Sequence, residues 1–232
     1  MSDAADYCRS IEAYLCRKND GHLVRIVGPA FEQVCGWSAR GIPFTVACHG
    51  IDRYFERYYA KGPRRRPVRV EFCEADVLDV FDEWRRAVGL GAAAAGSAVE
   101  STEERRRASL PAHLDRVIAR LTTLRAGDAR RLDALFDELI RELDSARAAA
   151  KGLRGDARQA FIDRLAALDA RLVAAARAGV AAEELPQLAA DADRELAPFR
   201  ARMPPEAYER SREACIERLI RERLRLPVIA FE

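Results

Sequence analysis

Apolar residues recur every three or four positions through most of the chain and alternate with polar residues in only two short segments. The helical spacing is clearest from Phe44 to Ala60, and it also predicts a first helix from about Ala4 to Arg17. The alternating segments, Leu23 to Val27 and Val68 to Phe72, predict two short β-strands. The pattern therefore predicts a mainly α-helical chain with one small sheet near its beginning.

Turn residues divide the first part of the chain into short elements. Pro29 favours the start of a second helix, and Gly41 and Pro43 separate that helix from the one at Phe44. The order of helices and strands matches a winged helix-turn-helix, in which a basic loop flanks a helix that enters a DNA groove. The sequence thus predicts a small winged-helix-like domain with a two-stranded sheet over residues 1–88.

The rest of the chain has a different composition. Residues 89–107 begin with a run of Gly, Ala and Ser and predict a flexible linker. Residues 108–226 contain successive helical stretches with one apolar stripe each, which predicts an antiparallel helical bundle or a coiled-coil hairpin. The stripes between Asp128 and Ala178 are narrow, a pattern that favours self-association.

Residues 227–232 form an apolar tail with Val228, Ile229 and Phe231 as its largest side chains. A solvated tail is rarely so hydrophobic. Two interpretations follow: the tail docks on the bundle of its own chain, or these three side chains bind a partner protein.

Bulk composition limits the location and the partners of the chain. Hydrophobic residues make up 49% and charged residues 33%, as in a globular helical protein, and the net charge is only +2. The first residues lack the pattern of a secretory signal, and no apolar run approaches the roughly 20 residues that span a bilayer. We therefore expect a cytoplasmic protein that does not bind a membrane.

The residues that carry metal-binding or catalytic chemistry are scattered. The six cysteines contain no C-x-x-C pair of the kind that zinc and iron–sulfur sites use. Three of them lie at apolar positions of predicted helices, which favours core packing. A metal site formed by Cys48, His49 and His22 is the alternative. Because the motifs of nucleotide-binding proteins and hydrolases are also missing, we expect no enzyme activity and no cofactor.

Charge is segregated along the first third of the chain. From Arg17 to Arg69 there are eleven basic and four acidic residues, whereas Glu71 to Glu83 has six acidic residues and no basic one. Such runs are typical of a solvated surface, but they also predict a basic face that suits a phosphate backbone. Three consecutive arginines, Arg64–Arg66, lie where a wing is expected.

This region also resembles known protein families. The run from Gly41 to Phe55, GIPFTVACHGIDRYF, is similar to the turn and second helix of winged-helix domains in bacterial and phage replication initiators and regulators. The run from Arg64 to Val77, RRRPVRVEFCEADV, resembles a family of bacterial proteins to which we attach no function. The first resemblance implies groove contacts by Thr45, His49 and Arg53 and phosphate contacts by Arg64, Arg65 and Arg66. Three basic neighbours complete the predicted nucleic-acid-binding set: Arg57, Lys61 and Arg69.

The sequence supports two hypotheses about function. In the first, the chain is a non-enzymatic protein that contacts the DNA duplex backbone through its basic face. Its helical bundle then mediates self-association or recruits a partner protein. In the second, the chain is a structural or adaptor subunit with no nucleic-acid role, and its N-terminal domain binds protein.

Overall fold

The computed structural model describes residues 2–60, 62, 67–90, 109–125, 132–150 and 152–231. Regular structure in these ranges is entirely helical. The α-helices are α1 (Ser2–Lys18), α2 (Pro29–Ala39), α3 (Phe44–Tyr59), α4 (Glu74–Ala87), α5 (Leu110–Arg125), α6 (Asp133–Ala149), α7 (Gly155–Ala178), α8 (Leu185–Arg200) and α9 (Pro205–Leu224), and Val70–Cys73 is a 3-10 helix. The chain forms two compact units: unit 1 comprises Met1–Ala95 and Glu195–Ser211, and unit 2 comprises Gly96–Arg194 and Arg212–Glu232.

Local sequence accounts for the ends of the helices in unit 1. Pro29 begins α2 because its fixed φ suits a first helical turn. The chain turns after α2 at Gly41, which has a φ of +77°. Pro43 is extended and directly precedes α3. Glu74 and Asp76 lie in the first turn of α4, where negative charge is stabilising.

The predicted two-stranded sheet is wrong. Residues 22–27 and 67–69 are non-helical, but no strand pairing joins them, and Val70–Cys73 forms a 3-10 helix in place of a strand. The region predicted to be a winged-helix-like domain therefore has no sheet among its described residues. That domain was predicted with a wing built from paired strands, so this part of the fold class is corrected.

Side chains explain why the two segments do not pair. The Glu12 carboxylate accepts a hydrogen bond from the Ile26 N–H at 2.8 Å. The buried Asn19 side chain binds both main-chain groups of Val68: it accepts from the N–H at 2.7 Å and donates to the C=O at 3.0 Å. Buried main-chain groups need hydrogen-bond partners, but those partners do not have to be strands. Glu12 of α1 thus holds the first segment, and Asn19, which directly follows α1, holds the second. Neither segment is held by the other.

Helices α3 and α4 pack closely in unit 1. At their contact, a Cβ atom built on Gly50 would lie 2.4 Å from the Cα atom of Val77. Trp37 and Ile51 are fully buried in the same unit.

Residues 195–211 belong to unit 1, although the sequence placed them in the C-terminal bundle. The buried Glu195 carboxylate accepts hydrogen bonds from the Thr45 hydroxyl at 2.7 Å and from the Trp84 indole N–H at 3.0 Å. The ring centroids of Phe199 and Trp84 are 5.6 Å apart. A hydrogen-bonded carboxylate and an aromatic contact thus hold this distant segment against α3 and α4.

Unit 2 contains helices with the single apolar stripes that the sequence predicts. Asp115, near the start of α5, pairs with Arg147, near the end of α6, at 2.9 Å, so these two helices are antiparallel. Arg171 on α7 pairs with Glu138 and Glu142 on α6. The largest fully buried side chains of α5, α6 and α7 are Leu114, Leu121, Phe136, Leu139, Leu143, Leu165 and Leu172.

Within the described ranges, every helix is too short or too polar to cross a lipid bilayer. Most of the predicted linker, residues 89–107, lies outside the described residues. Gly89 and Leu90 are described and follow α4 in a turn.

Candidate functional site

Two arginines on α3 that the sequence assigned to DNA binding contact acidic residues of α4. Arg57 Nη2 lies 2.5 Å from Asp76 Oδ2. Arg53 lies 3.2 Å from Glu83 Oε1 and 3.9 Å from Asp76 Oδ1. The structure therefore brings both arginines together around Asp76, one of the six acidic residues between Glu71 and Glu83.

Asp76 is a buried carboxylate that depends on these arginines. Burial raises the pKa of the Asp76 carboxyl group, and the positive charges of Arg57 and Arg53 oppose that increase. A buried charge is costly unless it is paired and hydrogen-bonded. The positive charge of this face of α3 is thus balanced inside unit 1.

The other predicted nucleic-acid contacts include three described residues. Thr45 donates to Glu195, as described above, while His49 and Arg69 are exposed. The remaining members of the predicted set lie outside the described residues: Lys61, Arg64, Arg65 and Arg66.

Four aromatic side chains form a connected surface on α3 and the 3-10 helix. We call Tyr54, Tyr58, Tyr59 and Phe72 the aromatic patch. The Tyr54 ring is stacked on Tyr58 at a centroid distance of 5.7 Å and on Phe72 at 6.4 Å, and Tyr58 meets Tyr59 edge-to-face at 5.4 Å. Phe72 is 58% exposed and Tyr59 is 41% exposed. The patch is therefore an apolar surface that solvent still reaches.

Arg57 joins the aromatic patch to the acidic residues of α4. Its guanidinium carbon lies 5.7 Å from the Tyr54 ring centroid, within the range of a cation–π interaction, while its Nη2 binds Asp76. Helical spacing alone would place Tyr54 and Tyr58 in the apolar stripe of α3, whereas both are only half-buried. The density of aromatic residues between Tyr54 and Tyr59 was the available indication, because one helix face does not bury them all.

The buried cysteines do not form a reactive centre. Burial raises the pKa of the Cys48 thiol to about 12 and that of the Cys73 thiol to about 12. The thiolate is the nucleophile and the metal ligand, so both groups are inert near neutral pH. Among the described residues, no group of three His, Cys, Asp or Glu side chains is placed to hold a metal ion, and the alternative site of Cys48, His49 and His22 is not assembled.

The apolar tail docks on unit 2 of its own chain. Ile229 is fully buried, and the Phe231 ring meets the His113 ring at a centroid distance of 5.2 Å. Val228 is 54% exposed. Of the three side chains predicted to bind a partner, two therefore contact the chain itself and one faces solvent.

Comparison with known proteins gives no match: no family model, no curated protein and no solved structure is significantly similar to this chain.

Proposed function

We propose that this chain is a non-enzymatic adaptor that binds a protein partner through the aromatic patch. The exposure of Phe72 and Tyr59 within a connected set of rings carries this proposal. Tyr, Phe and Arg are enriched at protein interfaces, and Tyr and Arg are common among the few residues that dominate binding energy. The patch offers these residue types together.

Preorganisation supports the same proposal. The rings of the patch contact one another, and Asp76 holds Arg57 beside them. Side chains that are ordered before binding lose less conformational entropy when a partner binds. A partner with an apolar centre fits this surface, because Phe72 and Tyr59 are exposed while Arg57 stays paired with Asp76.

The charge arrangement of α3 argues against groove recognition by that helix. A phosphate backbone would compete with Asp76 and Glu83 for Arg57 and Arg53. Displacing Arg57 would leave the buried Asp76 carboxylate without its closest cation, which is unfavourable. The adaptor hypothesis requires no such rearrangement.

The adaptor proposal is tested first by crosslinking. A photo-reactive amino acid replaces Phe72 in one chain and Phe44 in a control chain. Phe44 is also an aromatic residue of α3, is 37% exposed, and lies roughly 22 Å from Tyr59 along the helix axis at about 1.5 Å per residue. We expect a specific partner to crosslink at Phe72 and not at Phe44.

Binding of the purified partner then decides the question. We expect the double substitution Tyr59→Ala and Phe72→Ala to raise the dissociation constant at least about tenfold, which is the scale of interface hot spots. Phe44→Ala should leave it unchanged. Equal affinity of the double variant and the wild type would contradict the proposal.

Nucleic-acid binding by a different segment is the second candidate function. Residues 61–69 contain five basic residues and no acidic one, and Arg69 is exposed. This hypothesis predicts that replacing Arg64, Arg65 and Arg66 with Ala reduces affinity for DNA and flattens its salt dependence. Arg53→Ala serves as the control on α3. Weak binding that the triple substitution does not change supports the adaptor.

A further inference from the structure

The strap, which we define as residues 226–231, is held on unit 2 by side chains that bind its main chain. The Ile229 N–H donates to Asp169 Oδ1 at 2.7 Å, and a His113 ring nitrogen lies 3.0 Å from the Ile229 carbonyl oxygen. The Arg221 guanidinium donates to the Pro227 carbonyl at 2.9 Å. These three helical side chains, from α5, α7 and α9, form a groove for a non-helical segment.

Apolar side chains anchor the strap between these hydrogen bonds. Leu226 and Ile229 are buried, and Phe231 lies against His113 and beneath the guanidinium group of Arg158 at 5.9 Å. Recognition therefore combines main-chain hydrogen bonds with three apolar anchors. None of these contacts requires the strap to be covalently joined to the α9 helix that precedes it.

The groove contains a charge pair that favours an occupied state. Arg221 and Asp169 form an ion pair, and their side chains are only 15% and 14% exposed. The strap satisfies a further oxygen of Asp169 and a further N–H of Arg221. An empty groove would leave both hydrogen-bonding positions to water at a largely enclosed site, so occupancy is favourable whichever chain supplies the strap.

A strained residue connects the strap to α9. Arg225 has a φ of +54°, a left-handed conformation that side chains other than Gly rarely adopt. Its N–H bonds to the Glu222 carbonyl, and the Leu226 N–H bonds to the Arg221 carbonyl. This is the Schellman pattern that ends a helix, with Arg at the position usually held by Gly. The folded-back strap thus depends on an unfavourable conformation at one residue.

We propose that two copies of the chain exchange their straps, so that residues 226–231 of each copy fill the groove of the other. Exchange preserves the contacts that the groove side chains make with the strap and releases the left-handed conformation at Arg225. It gives up the Leu226 N–H bond to the Arg221 carbonyl, which belongs to the folded-back turn. Strained short hinges favour such swapping, which is a low-cost route to a dimer. This inference is independent of the aromatic patch on unit 1.

Hinge variants test the proposal by changing one φ angle. Proline holds φ near about −65° and cannot adopt the folded-back geometry, whereas glycine adopts it without strain. We expect Arg225→Pro to raise the dimerisation constant at least about tenfold relative to Arg225→Gly, from the usual cost of a strained residue. Light scattering coupled to size-exclusion chromatography gives the constants. A folded, monomeric Arg225→Pro variant would overturn the proposal.

Isotope-coded crosslinking identifies which chain fills each groove. Unlabelled and heavy-isotope-labelled full-length chains, each with p-benzoylphenylalanine in place of Phe231, are mixed and irradiated. We expect links between an unlabelled strap and a labelled α5 that increase with chain concentration. This measurement on the otherwise native chain decides the matter even if Arg225→Pro does not fold.

A variant of the buried anchor is the matched control. Ile229→Asp should abolish the mixed links, because a charged side chain does not fit the buried position. If every link joins two peptides of the same isotope, each strap remains on its own chain. Mixed dimers that survive Ile229→Asp would show that another surface forms the dimer, and both results contradict strap exchange.

Discussion

Gly50 allows α3 and α4 to approach more closely than any residue with a side chain would permit. The hypothetical Cβ atom at Gly50 would lie 2.4 Å from main-chain Cα and 2.8 Å from main-chain N of Val77. Backbone atoms cannot move aside as a flexible side chain can. The requirement is therefore steric and concerns the packing of two helices.

We predict that Gly50→Ala lowers the free energy of unfolding by about 2–3 kcal/mol or more, because overpacking forces the two backbones apart. Gly36→Ala is the matched control within α2. A Cβ atom at Gly36 meets nothing within 4 Å, and Ala is favoured over Gly inside a helix by up to about 1 kcal/mol. Urea unfolding monitored by tryptophan fluorescence measures both changes. Equal stability of the two variants would contradict the steric argument.

The Asn19 side chain makes the main-chain hydrogen bonds with Val68 that a neighbouring strand would otherwise make. Its amide makes three hydrogen bonds, to both main-chain groups of Val68 and to the Leu15 carbonyl, and it is buried. A single side chain thus fixes the path of the chain between α3 and α4.

We predict that Asn19→Ala costs about 2–4 kcal/mol of stability, because it leaves buried main-chain groups of Val68 without partners. Hydrogen exchange of the Val68 amide should accelerate at the same time. Gln159→Ala, which removes an exposed amide bonded to Asp163, should change stability by less than about 0.5 kcal/mol. Unchanged protection of Val68 in Asn19→Ala would show that other groups hold this segment.

At the level of elements, sequence patterns predicted the helices better than the extended segments. Helix boundaries such as Pro29 and Pro43 are set by local conformational preferences, so they can be derived without tertiary contacts. Of the alternating apolar residues from Val68 to Phe72, Val68 and Val70 are buried but Phe72 is 58% exposed. Burial also does not specify the hydrogen-bond partner. The partner was Asn19, and nothing in the sequence identifies an asparagine after a helix as a substitute strand.

The candidate site was predicted less well than the helices, for an electrostatic reason. Arg53 and Arg57 are four residues apart and share one face of α3, but their pairing with Asp76 depends on how α4 crosses that face. Counting charges along a sequence does not reveal the angle at which α4 crosses α3. The aromatic patch was missed because helical spacing separates faces but does not determine how much of each face is covered.

Ionisation of buried groups couples the stability of the whole molecule to alkaline pH. The pKa of Cys48 and that of Cys73 are raised from 9.0 to about 12, and burial also raises the pKa of Tyr14. In the unfolded chain these groups lose their protons at lower pH than in the folded chain. Stability is therefore retained below about pH 9 and is lost as the pH rises toward about 12.

We predict that the double substitution Cys48→Ala and Cys73→Ala makes this alkaline decline shallower. Each thiol contributes up to about 1.4 kcal/mol per pH unit in that interval. The buried Trp37 and Trp84 both report on unit 1, so denaturant unfolding followed by fluorescence at several pH values measures the slope. Loss of side-chain volume lowers stability at every pH and does not alter the slope. Parallel curves for the variant and the wild type would contradict this prediction.

The discontinuity of unit 1 is a property that the linear sequence does not reveal. Residues 195–211 belong with residues 1–95, although the intervening segment of the chain lies in unit 2. Helix α8 shows one regular apolar pattern through Arg194 and Glu195, so no break in composition marks the change of unit. The sequence-derived boundaries therefore followed the Gly- and Ala-rich segment after α4, which is a local feature.

Synthesis on the ribosome gives this discontinuity a practical meaning. Thr45 and Trp84 leave the exit tunnel long before their acceptor, Glu195, has been translated. The nascent N-terminal part therefore cannot complete its core until residues 195–211 follow, although the first part of a chain usually folds first. Until that segment follows, the Trp84 side chain lacks its contacts with Glu195 and Phe199, and we expect this apolar surface to be exposed. A recombinant fragment that stops at residue 95 should aggregate for the same reason.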